Sequence, residues 1–251
     1  MTYKTPSYWA RAALNMLREC AEQRVAEQGR TYFKPHEKVA LLGIKTQKAR
    51  DIEKEIFRAV KPTWSIQDAL AFCDTLIRNR YLEAKGIGIL LLSRYHRRYD
   101  RDMFEIIRGW LADGHCSNWA STDALSIVIL APLLTGYPEL LKELLDWTQS
   151  ANPWVRRAAA VSLTPLARKG KHLDTAYGIA HSLLDAPEDL MHKAVGWLLR
   201  ECGKTDDRRL EAFLLTHGAR VPRTALRYAI ERYPEARRKR ILVQTKASFG
   251  P

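Results

Sequence analysis

The stretch MHKAVGWLLRECGK, residues 191–204, decides the reading of the whole chain. Met191, Ala194, Val195, Leu198, Leu199 and Cys202 recur at the i, i+3, i+4, i+7 spacing of one helix face, which is a complete core stripe. Lys193, Trp197, Arg200 and Lys204 fall at i, i+4, i+7 and i+11 on the opposite face. The indole is therefore not needed for the core, and it sits among three cations where an anionic partner can reach it.

Working outward, the same design recurs in NPWVRRAAAVSLTPLAR at 152–168. Val155, Ala159, Ser162, Leu163 and Leu166 face inward, and Trp154, Arg157, Val161 and Arg168 are expected on the other side, with Arg156 a solvated or ion-paired surface residue. Asn152 followed by Pro153 is an N-cap with proline at the first helical position, which would leave backbone N–H groups for a phosphate. In SNWASTDALSIVILAPLL, from residue 117, Leu125, Val128, Ile129 and Leu133 form one stripe, and Trp119, Asp123, Ser126 and Leu130 are expected to form another. ALSIVILAPLL at 124–134 is too short for the roughly 20 residues of a membrane span and reads as a buried helix.

Helical periodicity extends over 7–28, 46–60, 65–79, 81–96, 101–112, 119–135, 138–149, 154–169, 172–185, 188–203, 206–217 and 222–232, with no strand alternation. Short breakers such as Lys61-Pro62, Asp113-Gly114, Asn152-Pro153 and Ala186-Pro187 separate the segments. No long Gly, Ser or Pro linker divides the chain, so residues 1–251 read as one all-α domain. Trp119, Trp154 and Trp197 mark a weak repeat near the roughly 40- to 47-residue period of HEAT-type units. The helix pairs 101–135, 138–169 and 172–203 are then expected to stack as a curved solenoid, with the tryptophan faces lining a concave basic groove.

Forty-one Lys and Arg against 28 Asp and Glu give a net charge of +13, the footprint of a polyanionic partner, nucleic acid first. An apolar content of 46% suits a globular chain that buries a core without staples. Cys20, Cys73, Cys116 and Cys202 form no CxxC pair, and the first residues carry no apolar signal-peptide run, so a reducing cytosol is expected. The seven histidines form no HExxH, and His115-Cys116 has no companion at zinc spacing, so neither metal nor cofactor is expected. P-loop, GxGxxG and GxSxG motifs are lacking too. KGIGILLL at 85–92 reads as close helix packing, and ARRKRI at 236–241 as a basic tail or the solvated end of a helix.

Five stretches carry a family resemblance over most of the chain: YFKPHEKVALLGIKT at 32–46, RYLEAKGIGILLLSRY at 80–95, NWASTD at 118–123, NPWVRRAAA at 152–160 and KAVGWLLRECGKT at 193–205. They resemble the bacterial DNA alkylation repair family of HEAT-like-repeat DNA glycosylases, the AlkD-like proteins. The resemblance implies metal-free hydrolytic excision of positively charged alkylpurines, 3-methyladenine and 7-methylguanine types, from double-stranded DNA. By position in the motifs it makes Trp119, Asp123 and Trp197 the catalytic cluster and Arg157 the phosphate-contacting arginine. Trp154, Lys193, Arg200, Lys204 and Lys45 are expected to contact DNA, with Tyr32 as the family's tyrosine in the N-terminal helix. The chain departs from the pattern in carrying Lys45 where the best-known members carry glutamine, and in a longer segment from Lys34 to Leu41.

A lesion that is already cationic leaves easily, so one carboxylate suffices where sugar hydrolysis uses two. The expected protein is a monomer in the bacterial cytosol, associated with the nucleoid and not with a membrane. The alternative is a non-catalytic HEAT-like module that binds branched or damaged nucleic acid. Asp123 argues for catalysis, because a carboxylate on a basic face only repels a phosphate ligand.

Overall fold

The computed structural model describes residues 3–35, 37 and 39–246. His36 and Lys38, inside the 32–46 motif, lie outside the described residues. Among the described residues there is no β-strand, only an isolated bridge between Ala40 and Tyr81, and the helical-repeat, all-α fold is the one the periodicity predicts. The chain gathers into two compact units, residues 1–133 and 134–251.

The first unit holds α1 (Pro6–Glu19), α2 (Gln23–Arg30), α3 (Thr46–Val60), α4 (Ile66–Ile77), α5 (Leu82–Ser93), α6 (Met103–Ala112) and α7 (Trp119–Leu125). Local chemistry sets their starts. Thr5 caps α1 ahead of Pro6, and Ser65 and Asp68 form a reciprocal capping box on α4. The single helix expected over 7–28 is two, because the chain turns at 20–22, where the Glu22 N–H donates to the Gly43 carbonyl at 3.0 Å. Gly43 adopts φ +83°, and a Cβ there would lie 2.2 Å from the Glu22 carbonyl oxygen, so only glycine fits. Gly88 brings α5 onto α4, since an added Cβ would sit 3.1 Å from the Leu76 Cβ and 3.3 Å from the Cys73 Cα; this is the close packing that KGIGILLL predicts. Glu53, buried on α3, receives both donors of the Arg94 fork at 3.0 and 2.8 Å.

The run after α7 differs from the expected regular helix over 119–135. Residues Ser126–Leu130 form a π-helical turn, in which the Ala131 N–H donates to the Ser126 carbonyl, before α8 (Ala131–Gly136) resumes. Pro132 supplies the reason: it has no N–H for the preceding turn and its ring crowds the carbonyl four residues back, so the helix widens just ahead of it. The continuous run Trp119–Gly136 has the length and apolarity to cross a membrane, but half of it is buried inside the protein, as in a core helix.

The second unit holds α9 (Leu140–Asp146), α10 (Pro153–Ser162), α11 (Thr164–Ala167), α12 (Leu173–Ser182), α13 (Asp189–Cys202), α14 (Asp207–His217), α15 (Arg223–Ala229) and α16 (Glu235–Gln244). The expected helix over 154–169 breaks at Leu163, again ahead of a proline, Pro165, and the Thr164 hydroxyl donates to the Val161 carbonyl at 2.8 Å. α13 is central, packing against α10, α11, α12, α14 and α15. All six residues of its predicted core stripe are buried. Residues 236–241 lie within α16, where Ala236, Lys239 and Arg240 are exposed and Ile241 is buried, so the solvated helix and not a loose tail is the reading that holds. Arg237 donates to Asp207 at 2.5 Å and Glu211 at 2.8 Å, tying α16 to α14.

All four cysteines are free, and Cys73, Cys116 and Cys202 are buried. Burial pushes the Cys73 thiol well up, and those of Cys116 and Cys202 up to about 12.

Candidate nucleic-acid interface

In the first unit, the Asn118 side chain accepts the Ser121 N–H at 2.9 Å and starts α7 directly at Trp119. Trp119 and Asp123, one turn apart, are both half-buried, and Ser121, Thr122 and Leu125 of the same helix are buried. The stripe expected to continue through Ser126 and Leu130 stops at Asp123. The π turn rotates those two residues into the core, where the Ser126 hydroxyl donates to the Thr122 carbonyl at 2.7 Å.

Sequence reasoning missed Phe33. Its ring stacks on the Trp119 indole with centroids 5.1 Å apart and an interplanar angle of 25°. Tyr32, the residue singled out instead, lies past the end of α2 in a turn, not in a helix, and is 76% exposed. Arg30 shapes that turn: its Nη2 donates to the carbonyls of Lys34, Pro35 and Glu37 at 3.0, 3.1 and 2.7 Å. Lys45 stands at the N-cap of α3, exposed, with its ammonium 3.3 Å from Glu22. Beside it the Leu42, Gly43 and Ile44 N–H groups converge on the Glu83 carboxylate at 3.0, 2.8 and 3.4 Å, so the LGI motif is a loop wrapped round a buttress.

In the second unit, Asn152 does cap α10, and its side chain accepts the Trp154 N–H at 2.8 Å, occupying one of the groups expected to be available for phosphate. The stripe Trp154, Arg157, Val161, Arg168 does not form. Trp154 is half-buried and Arg168 exposed, whereas Val161 is fully buried and Arg157 is only 5% exposed. An Arg157 Nη donates to the Leu190 carbonyl in the first turn of α13, which draws the guanidinium between the two helices. Arg156 is ion-paired, as expected, with Glu188.

On α13, Lys193, Trp197 and Arg200 are partly open and Lys204 is exposed, the face the spacing predicts. Each cation there already holds a carboxylate. Lys193 is 2.9 Å from Asp189, Arg200 2.5 Å from Glu231, and Lys204 2.5 Å from Glu201, which Arg168 also meets at 2.8 Å. Glu201 is 1% exposed. Burial alone would raise its carboxyl, but hydrogen bonds from Lys204 and Arg168 outweigh burial and hold it below the ordinary range. Among the described residues no group of three or more His, Cys, Asp or Glu could hold a metal ion.

These features can be set beside known proteins. The model of the DNA alkylation repair enzyme family matches residues 13–233, and the chain belongs to that family. It is similar to a solved structure described as a predicted DNA alkylation repair enzyme from Enterococcus faecalis, at 18% identity and a TM-score of 0.74 over 86% of this chain and 97% of that one. At that identity the likeness is one of fold. A comparison with curated proteins found no match. Membership of the family gives the chain a role in DNA alkylation repair, with DNA as the substrate.

Proposed function

We propose that the chain is a DNA glycosylase that hydrolyses the N-glycosidic bond of positively charged N3- and N7-alkylated purines, such as 3-methyladenine and 7-methylguanine, in double-stranded DNA. The observation that carries this reading is the pairing of Trp119 with Asp123 one turn apart at the start of α7 in a member of a DNA alkylation repair family. A basic chain that only gripped phosphate would gain nothing from a carboxylate there.

In the reaction, the bond between the anomeric carbon and the purine nitrogen breaks, and its electron pair neutralises the cationic base. Water oxygen bonds to the anomeric carbon and gives up a proton. Asp123 stabilises the positive charge that develops on the sugar and accepts that proton. Trp119 holds the lesion-bearing sugar by apolar and cation-to-aromatic contact, and Trp197, on α13 of the second unit, offers DNA an indole suited to the same kind of contact. Lys193, Arg200 and Lys204 meet the phosphate backbone by exchanging their carboxylate partners for phosphate. Arg157 serves the same surface by fixing α10 against α13.

The test is incubation of the protein with alkylated duplex DNA and identification of free bases by mass spectrometry. Release of 3-methyladenine and 7-methylguanine supports the reading. Tight binding without release would favour a non-catalytic DNA-binding module.

A further inference from the structure

The stack of Phe33 on Trp119 has a mechanical origin that can be followed through the first unit. Glu83, in the first turn of α5, gathers the N–H groups of residues 42–44. That loop meets the start of α2 at Gly43, where backbone approaches backbone too closely for any Cβ. α2 ends in Arg30, whose guanidinium spans three carbonyls of the next turn, and the Lys34 N–H donates to the Glu37 carboxylate at 2.6 Å. The turn so fixed carries Phe33 onto one face of the indole. The backbone that carries Trp119 is fixed in its turn by the Asn118 cap, by the Thr122 hydroxyl donating to the Cys116 carbonyl at 2.9 Å, and by the buried Ser121, Thr122 and Leu125 of α7.

We propose that Phe33 is a positioning residue for the reaction: its ring fixes the orientation of Trp119 and covers one indole face, leaving the other for the cationic sugar. The inference rests on the glycosylase reading above and adds a residue to it. A near-parallel stack suits this task, because an indole bonded to the chain through one flexible side chain otherwise samples several rotamers, and only one presents its π face to the substrate. The energy of an aromatic pair sets the scale of the effect, a fall in excision between about twofold and about tenfold when the ring is lost.

Phe33→Leu keeps apolar volume and removes the ring, and Phe33→Tyr keeps the ring. In single-turnover excision of 7-methylguanine from a duplex, F33L should be slower within that range and F33Y close to wild type, with affinity for undamaged duplex and melting temperature unchanged in both. The shielding of the indole is read separately from acrylamide quenching of the Trp119 emission, taken as the difference between each protein and its Trp119→Phe counterpart. F33L should raise that quenching and F33Y should not. F33L excising at the wild-type rate, or quenching unchanged, overturns the inference while leaving the glycosylase reading intact. A wild-type protein that releases no base overturns both.

Discussion

At the scale of single residues, the reading turns on Asp123. Asp123→Asn removes the negative charge but keeps shape, so base release should fall by at least about a hundredfold. Duplex binding should hold or tighten, since a charge that repels phosphate is gone; filter binding beside single-turnover excision separates the two effects. Arg157 has a different forecast from an exposed phosphate contact. Its guanidinium is buried and bonded to the Leu190 carbonyl, so Arg157→Ala should cost about 1 to 3 kcal/mol in urea unfolding as well as weaken DNA binding. The spacing of Trp119 and Asp123 was legible in the sequence because four residues make one helical turn. Phe33 was not, because a ring that meets its partner across a tertiary contact leaves no periodic trace. The burial of Arg157 was hidden for a related reason: its α10 position points outward only until α13 covers it.

Elements show where pattern reading works and where it stops. α3 over Thr46–Val60 and the core stripe of α13 match their sequence periodicity, since both run without a proline. The reading failed ahead of Pro132 and Pro165, where a missing N–H widens or breaks the helix and, before Pro132, turns Ser126 and Leu130 into the core. Close approach of helices is equally testable. At Gly196 an added Cβ would lie 2.5 Å from the Ala225 carbonyl oxygen and 2.5 Å from the Tyr228 Cβ. Gly196→Ala should therefore push α15 away from α13, costing about 1 to 3 kcal/mol and lowering excision through Trp197 next to it. Differential scanning calorimetry and excision on the same sample check both consequences.

For the molecule as a whole, charge governs both binding and acid stability. Duplex affinity should fall linearly with the logarithm of salt concentration, by about 0.9 for each phosphate met. Because Lys193 holds Asp189, Lys193→Ala should reduce that slope by less than the roughly one unit of an unencumbered lysine, as titrations at several salt concentrations will show. The same pairs predict acid sensitivity. Hydrogen bonds from Arg220 hold Asp185, and those from Arg237 hold Asp207, below the ordinary carboxylate range; Glu201 is held there by Lys204 and Arg168 against the effect of burial. A carboxyl depressed in the folded state stabilises it above the unfolded value and loses that contribution as pH falls towards the folded one. Melting temperature should then be level from neutral pH to about 5 and drop below about 4.

The buried thiols carry a consequence for a protein that works amid alkylating chemicals. Sulfur is the side-chain atom such agents attack first, and it reacts as the thiolate. Cys73, Cys116 and Cys202 are walled off and kept protonated by their surroundings, leaving Cys20 as the thiol that reaches the surface. Exposure of the folded protein to a methylating agent, followed by peptide mass spectrometry, should find the sulfur adduct at Cys20 and leave the other three unmarked. Three of the four thiols would then persist unmodified through the same chemical insult that generates the lesions, so that the poison that marks the genome leaves the cysteines of the core intact.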